Sequence, residues 1–141
     1  MVGKSRFEED AISAVIRIIT SKAEKLNAKI LDIDREVSMG RGRADLVITI
    51  REASKELNEY VFEMKSGVVD MSHGIGLNFY GNVNWLVYPE EEYTCGLQLW
   101  KELAEAFLDG MGYDYVGIIR LNKDGTLKVE REAIYGTREK R

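Results

Sequence analysis

In the stretch YVFEMKSG, Tyr60 to Gly67, a carboxylate and an ammonium stand two residues apart at the end of an otherwise apolar run. Side chains alternate faces along a strand, so Val61, Glu63 and Lys65 share one side while Tyr60, Phe62 and Met64 share the other. An edge strand whose ion pair faces water would explain the two charges without any function, at a gain of at most ~1 kcal/mol. A second acid suggests more. Asp45, in GRADLVI, begins the preceding strand of what reads as a hairpin, so carboxylates on adjacent strands are expected to converge. Such oxygens suit Mg²⁺ (or Mn²⁺ in its place), which keeps several waters while bridging one or two carboxylates and a phosphate oxygen. The Met64 carbonyl, between Glu63 and Lys65, would add a further oxygen. A cation held by Asp45, Glu63 and Met64 would polarise a phosphodiester and help generate hydroxide, with Lys65 orienting the water or offsetting charge.

Flanking this set, MGRGR (Met39 to Arg43) brings Arg41 and Arg43 to the approach of Asp45. Glycine lets a loop come close to a backbone phosphate, and arginine forks suit one, so these two are the expected nucleic-acid clamps; a solvated loop is the plain alternative. Other chemistry is weakly supported. His73 follows Asp70 and Ser72, but three polar residues crowded into one turn rarely converge as a triad, and a solvated histidine is the better reading. GIGLNFYG lacks the spacing and context of a dinucleotide fingerprint, and no GxxxxGK[ST] occurs. Tyr80, Trp85 and Tyr88 could stack on bases, though aromatics at such positions more often fill a core.

Taken together, Asp45 at a strand start and FEMK on the next strand resemble the PD-(D/E)xK nucleases of restriction-endonuclease-like fold. Ala44 stands where the family name has proline. That resemblance implies an α/β fold with an α-β-β-β-α-β core, its mixed central sheet flanked by helices, over the first two thirds of the chain, and an α-β-β extension after it. It also implies a helix glutamate, Glu8 or Glu9; Glu8 is preferred because its row runs through Val15 and Ile19. For either acid the plain alternative is a first-turn carboxylate interacting with the helix dipole. The implied activity is Mg²⁺-dependent phosphodiester hydrolysis on DNA, with Asp45 and Glu63 as ligands, Lys65 positioning water and Glu8 auxiliary. Little chain is left over for reading a long site, so selection of DNA structure, as in repair or recombination, is expected. Compact resolvase-like members act as homodimers, which makes a homodimer an open option here. The competing readings are a non-catalytic nucleic-acid-binding module on the same fold and a protein-interaction module.

The elements that must position these residues are legible as patterns. Ser5 to Leu26 carries Phe7, Ala11, Val15, Ile18 and Ile19 at helical spacing, with Ser5 as a cap and Glu8 and Glu9 in the first turn. Ala28 to Ser38 alternates as a strand with one mostly polar face, and MGRGR then breaks the order as a mobile turn. ADLVITI and the YVFEMK strand pair as an antiparallel hairpin with a longer loop. Val68 to Gly81 reads as a helix weakened by glycines. VNWLVYP is a strand stopped by the single proline, and a helix from Cys95 to Asp109 turns Leu99, Trp100, Leu103 and Phe107 inward until Gly110 and Gly112 end it. YDYVGIIRL and TLKVEREAIYG form a terminal hairpin around NKDG.

Whole-chain properties bound the rest. A length of 141 residues suits one domain, residues 1–141, and 45% apolar residues with one proline describe an ordinary globular chain. The net charge of −4 argues against coating nucleic acid through a global field, though not against a local basic surface. The lone Cys95 excludes an internal disulfide and any zinc-like grouping. No apolar run nears the ~20 residues that cross a bilayer and no signal peptide opens the chain, so a cytoplasmic protein without membrane contact is expected.

Overall fold

The computed structural model describes residues 2–39, 42–65, 78–90 and 97–136, apart from the side chains at 2–6, 39 and 97–101. Helix α1 (Val2–Lys25) is followed by β1 (Lys29–Met39), β2 (Gly42–Arg51), β3 (Leu57–Met64), β4 (Val83–Pro89), α2 (Leu97–Gly110), β5 (Gly117–Leu121) and β6 (Leu127–Arg131). The strands lie in one mixed sheet in sequence order. β1, β2 and β3 are antiparallel neighbours, β3, β4 and β5 run parallel, and β6 returns antiparallel. This is an α/β architecture. No helix among the described residues is long and apolar enough to cross a membrane.

β2 and β3 are central because they are apolar on both faces. Leu46, Ile48, Phe62 and Met64 pack with Val87 and Ile119 under the α1 residues Ala11, Ile12 and Val15. On the other face Val47 and Val61 pack with Ala44. Farther along the sheet, Leu86, Tyr88 and Ile118 meet Ala104 and Leu108 of α2. Leu86 and Val87 are adjacent and point to opposite faces, so the two helices cover opposite sides of the sheet.

Several expectations change. The helix begins at Val2, since nothing from Val2 to Ser5 halts it, and its first turn contains no acid. Ser5 is therefore no cap, and Glu8 and Glu9 sit beyond the first turn. The described part of MGRGR is strand rather than turn, with Met39 paired to Gly42; residues 40 and 41 lie outside the described residues. The alternation of β1 is interrupted by a bulge at Leu31 and by Glu36, whose φ of 51° is left-handed. The helix expected over 68–81 falls mainly outside the described residues, and its described end, 78–81, is not helical. His73 also lies outside them.

On α2, Leu103 is 42% exposed rather than inward. The buried row is Ala104 and Leu108, one position later, with Phe107 partly buried at its flank. The side chains of Leu99 and Trp100 are outside the described set. Gly112, with φ 85°, ends the helix, and the Tyr113 N–H donates to the Leu108 carbonyl at 2.8 Å, as a left-handed glycine termination requires. The supposed C-terminal extension is integral, because β5 is hydrogen-bonded directly to β4. Its turn forms as expected: Gly125 donates to the Asn122 carbonyl at 3.0 Å.

Candidate functional site

The β2–β3 register decides whether Asp45 and Glu63 meet. Leu46 and Phe62 are the last partners of the β2–β3 ladder, so Asp45 and Glu63 each lie one residue beyond it at the same end of the sheet. The charge of Asp45 acts on Glu63, which places the two carboxyl groups near one another. The Met64 N–H donates to Asp45 Oδ2 at 2.7 Å, and the Asn78 N–H donates to Glu63 Oε2 at 2.7 Å. Glu63 is only 1% exposed. Since β3 lies between β2 and β4, the water-facing edge pair is ruled out for this strand.

Electrostatics follow from that burial. Glu63 is held well above the ordinary carboxylate range, first by desolvation and then by the neighbouring Asp45 side chain. The Asn78 N–H and the charge of Lys65 pull it back only in part. Lys65 is half-buried at the strand end, and its N–H donates to the Val87 carbonyl at 2.9 Å.

Glu8 and Glu9 separate clearly. Glu8 is partly buried and is raised by desolvation and by the Asp45 charge, with Arg35 acting in the opposite direction. Glu9 is exposed and takes a two-pronged bond from Arg35, at 2.6 and 3.2 Å, which lowers it. Glu8 thus belongs electrostatically to the acid pair, while Glu9 belongs to the rim.

The remaining sequence candidates fare unequally. Arg43 is exposed on β2 and makes a loose ion pair with Glu36 at 3.4 Å. Arg41 lies outside the described residues. Tyr88 is fully buried with its hydroxyl donating to Glu130 at 3.3 Å, so it is no stacking platform, and Trp85 packs against the α1-side core. Among the described residues no three His, Cys, Asp or Glu side chains are grouped to hold a metal ion. A cation here would therefore rest on two carboxylates with backbone and water oxygens.

Sequence reasoning missed Asn78. It is 2% exposed, its N–H holds Glu63, and its side-chain amide donates to the Arg43 carbonyl at 3.1 Å. An asparagine in a glycine-rich stretch reads as a turn residue; no pattern reveals that it reaches across to another strand.

No protein-family model matches the chain, and no curated protein matches it. Among solved structures the chain is similar to Pyrococcus furiosus SfsA in complex with Ca²⁺, at 13% sequence identity and a TM-score of 0.39. The match covers 94% of this chain and 65% of that one. At that score the likeness carries no argument about fold or function.

Proposed function

We infer that this chain is a divalent-cation-dependent nuclease of the restriction-endonuclease-like kind, hydrolysing phosphodiester bonds in structured DNA. The observation that carries the reading is a fully buried carboxyl group, Glu63, held by the Asn78 N–H and standing near half-buried Asp45, with the Lys65 charge acting on it. Burying the Glu63 carboxyl group near a second acid is unfavourable for folding alone. It would make chemical sense where a divalent cation offsets the two negative charges, since hard carboxylate oxygens suit Mg²⁺ or Mn²⁺.

In this reading Asp45 and Glu63 hold the cation. The Met64 N–H points toward β2 to reach Asp45, and the two backbone groups of a strand residue point to the same neighbour, so its carbonyl is oriented toward the same side. The bound cation supplies Lewis acidity toward a phosphate oxygen. Lys65 orients the attacking water and offsets charge building on the phosphate. Glu8, its proton affinity raised, accepts a proton from that water or steadies it. Arg43, exposed beside Asp45, contacts a neighbouring phosphate after leaving Glu36.

Calorimetry with Mn²⁺ on the unaltered protein and Asp45→Ala tests the first step, with heat of binding expected only from the former. Cleavage of single-stranded, duplex, flapped and four-way DNA tests the second. Lys65→Ala is expected to lose about 10²-fold or more in rate, Glu8→Gln to lose activity, and Glu9→Gln to keep it. Cation binding without cleavage of any of these DNAs would leave a binding module instead.

A further inference from the structure

We propose that Asn78 is the positioning residue of the cation site, fixing the Glu63 carboxylate and the start of β2 relative to one another. The proposal rests on the nuclease reading of the Asp45–Glu63 pair. Its physical basis is that Asn78 binds both strands through different groups. The backbone N–H donates to Glu63 Oε2 at 2.7 Å on β3, and the side-chain amide donates to the Arg43 carbonyl at 3.1 Å on β2, two residues before Asp45. A carboxylate with one oxygen so engaged cannot rotate about its terminal bond without losing that hydrogen bond.

The segment carrying Asn78 is itself anchored by buried polar contacts. The carbonyl of Phe79, fully buried, accepts the Tyr115 hydroxyl at 2.9 Å. The N–H and carbonyl of Gly81 are paired with the amide of buried Asn84, at 2.9 and 3.0 Å. Asn82 exchanges hydrogen bonds with the backbone of Glu59, at 2.8 and 2.9 Å. A Cβ on Gly81 would meet the Glu59 carbonyl at 2.8 Å and Val61 at 2.5 Å, so the segment lies against β3 as closely as a glycine allows. Such anchoring serves little purpose for a surface turn. It fixes the direction of one N–H at a buried carboxyl group.

Gly42 offers an independent way to disturb this device. A Cβ there would sit 3.1 Å from Asn78 Nδ2, close enough to push the amide by a few tenths of an ångström without changing Asn78. The experiment is Mn²⁺ calorimetry at one fixed pH on the full chain, with thermal melting alongside. Asn78→Ala keeps the backbone N–H but frees it from the Arg43 carbonyl that fixes its position, and is expected to bind Mn²⁺ about 10- to 100-fold more weakly, with Gly42→Ala showing a smaller loss in the same direction. Leu108→Ala, remote from the site in the α2 core, is the control for stability alone: it should melt lower with unchanged affinity. Unchanged Mn²⁺ affinity in both Asn78→Ala and Gly42→Ala, beside a wild type that binds, overturns the role of Asn78 and leaves the nuclease reading standing. A parallel loss in Leu108→Ala also overturns it, since instability would then explain the effect. Absence of Mn²⁺ binding by the unaltered protein rejects the nuclease reading and this proposal together.

Discussion

A carboxyl group at position 63 that keeps its proton above the ordinary range makes stability depend on pH in a stated direction. The raised value means that the folded protein still holds the proton when the unfolded chain has released it, so stability falls as pH rises above ~4.3 toward the folded value. Below ~4.3 both states are protonated and the penalty is absent. Glu63→Gln imitates the neutral acid and retains an acceptor for the Asn78 N–H. In a chelating buffer it should therefore match the wild type near pH 4 and exceed it at pH 8, by on the order of 2 kcal/mol in urea unfolding. Equal stability at both pH values would contradict the assigned burial cost. The same residue is the clearest case of what sequence concealed. The spacing in FEMK identifies Glu63 and Lys65 as a pair on one face, but whether that face meets water depends on β4, a strand that arrives nineteen positions after the last residue of β3.

At the level of elements, helix phase separates two leucines that look alike in sequence. Leu108 is fully buried against Tyr113 and the sheet, whereas Leu103 is 42% exposed. Leu108→Ala is expected to cost about 2–5 kcal/mol, and Leu103→Ala to lie within about 0.5 kcal/mol of wild type. Denaturant melts of the two variants check the assignment, and similar losses would mean that α2 is turned about its axis. Periodicity located this helix and its glycine termination, yet its inward row was misjudged by one residue. A one-residue shift rotates a face by about 100°, and an amphipathic stripe with Leu103, Ala104, Phe107 and Leu108 leaves that choice to the partner surface. The hairpin turn at Asn122–Gly125 was fully legible, because turn geometry is a local matter of glycine and Asx chemistry.

For the molecule as a whole, a cation that binds only the folded chain must stabilise it. With Mn²⁺ at a hundredfold excess over its dissociation constant the gain is about 2.7 kcal/mol, which for a chain of this size corresponds to a rise in melting temperature of roughly 5–11 °C. The unaltered protein should show it, and Asp45→Ala should not. An equal rise in both would place the cation elsewhere. The net charge of −4 sets a further whole-molecule condition: any contact with DNA must come from a local surface such as that around Arg43.

By itself the sequence determined the order of the described elements from the first helix through the strands to the terminal hairpin, the helix expected over 68–81 apart, and it proposed Asp45, Glu63 and Lys65 as a set, because periodicity and residue type act over a few neighbouring positions. Tertiary structure alone decided that β3 is central, that Glu8 rather than Glu9 lies in the field of Asp45, and that Asn78 holds Glu63. Those facts depend on contacts between residues far apart in the chain, where strand order, register and desolvation are set by the packing of the whole sheet.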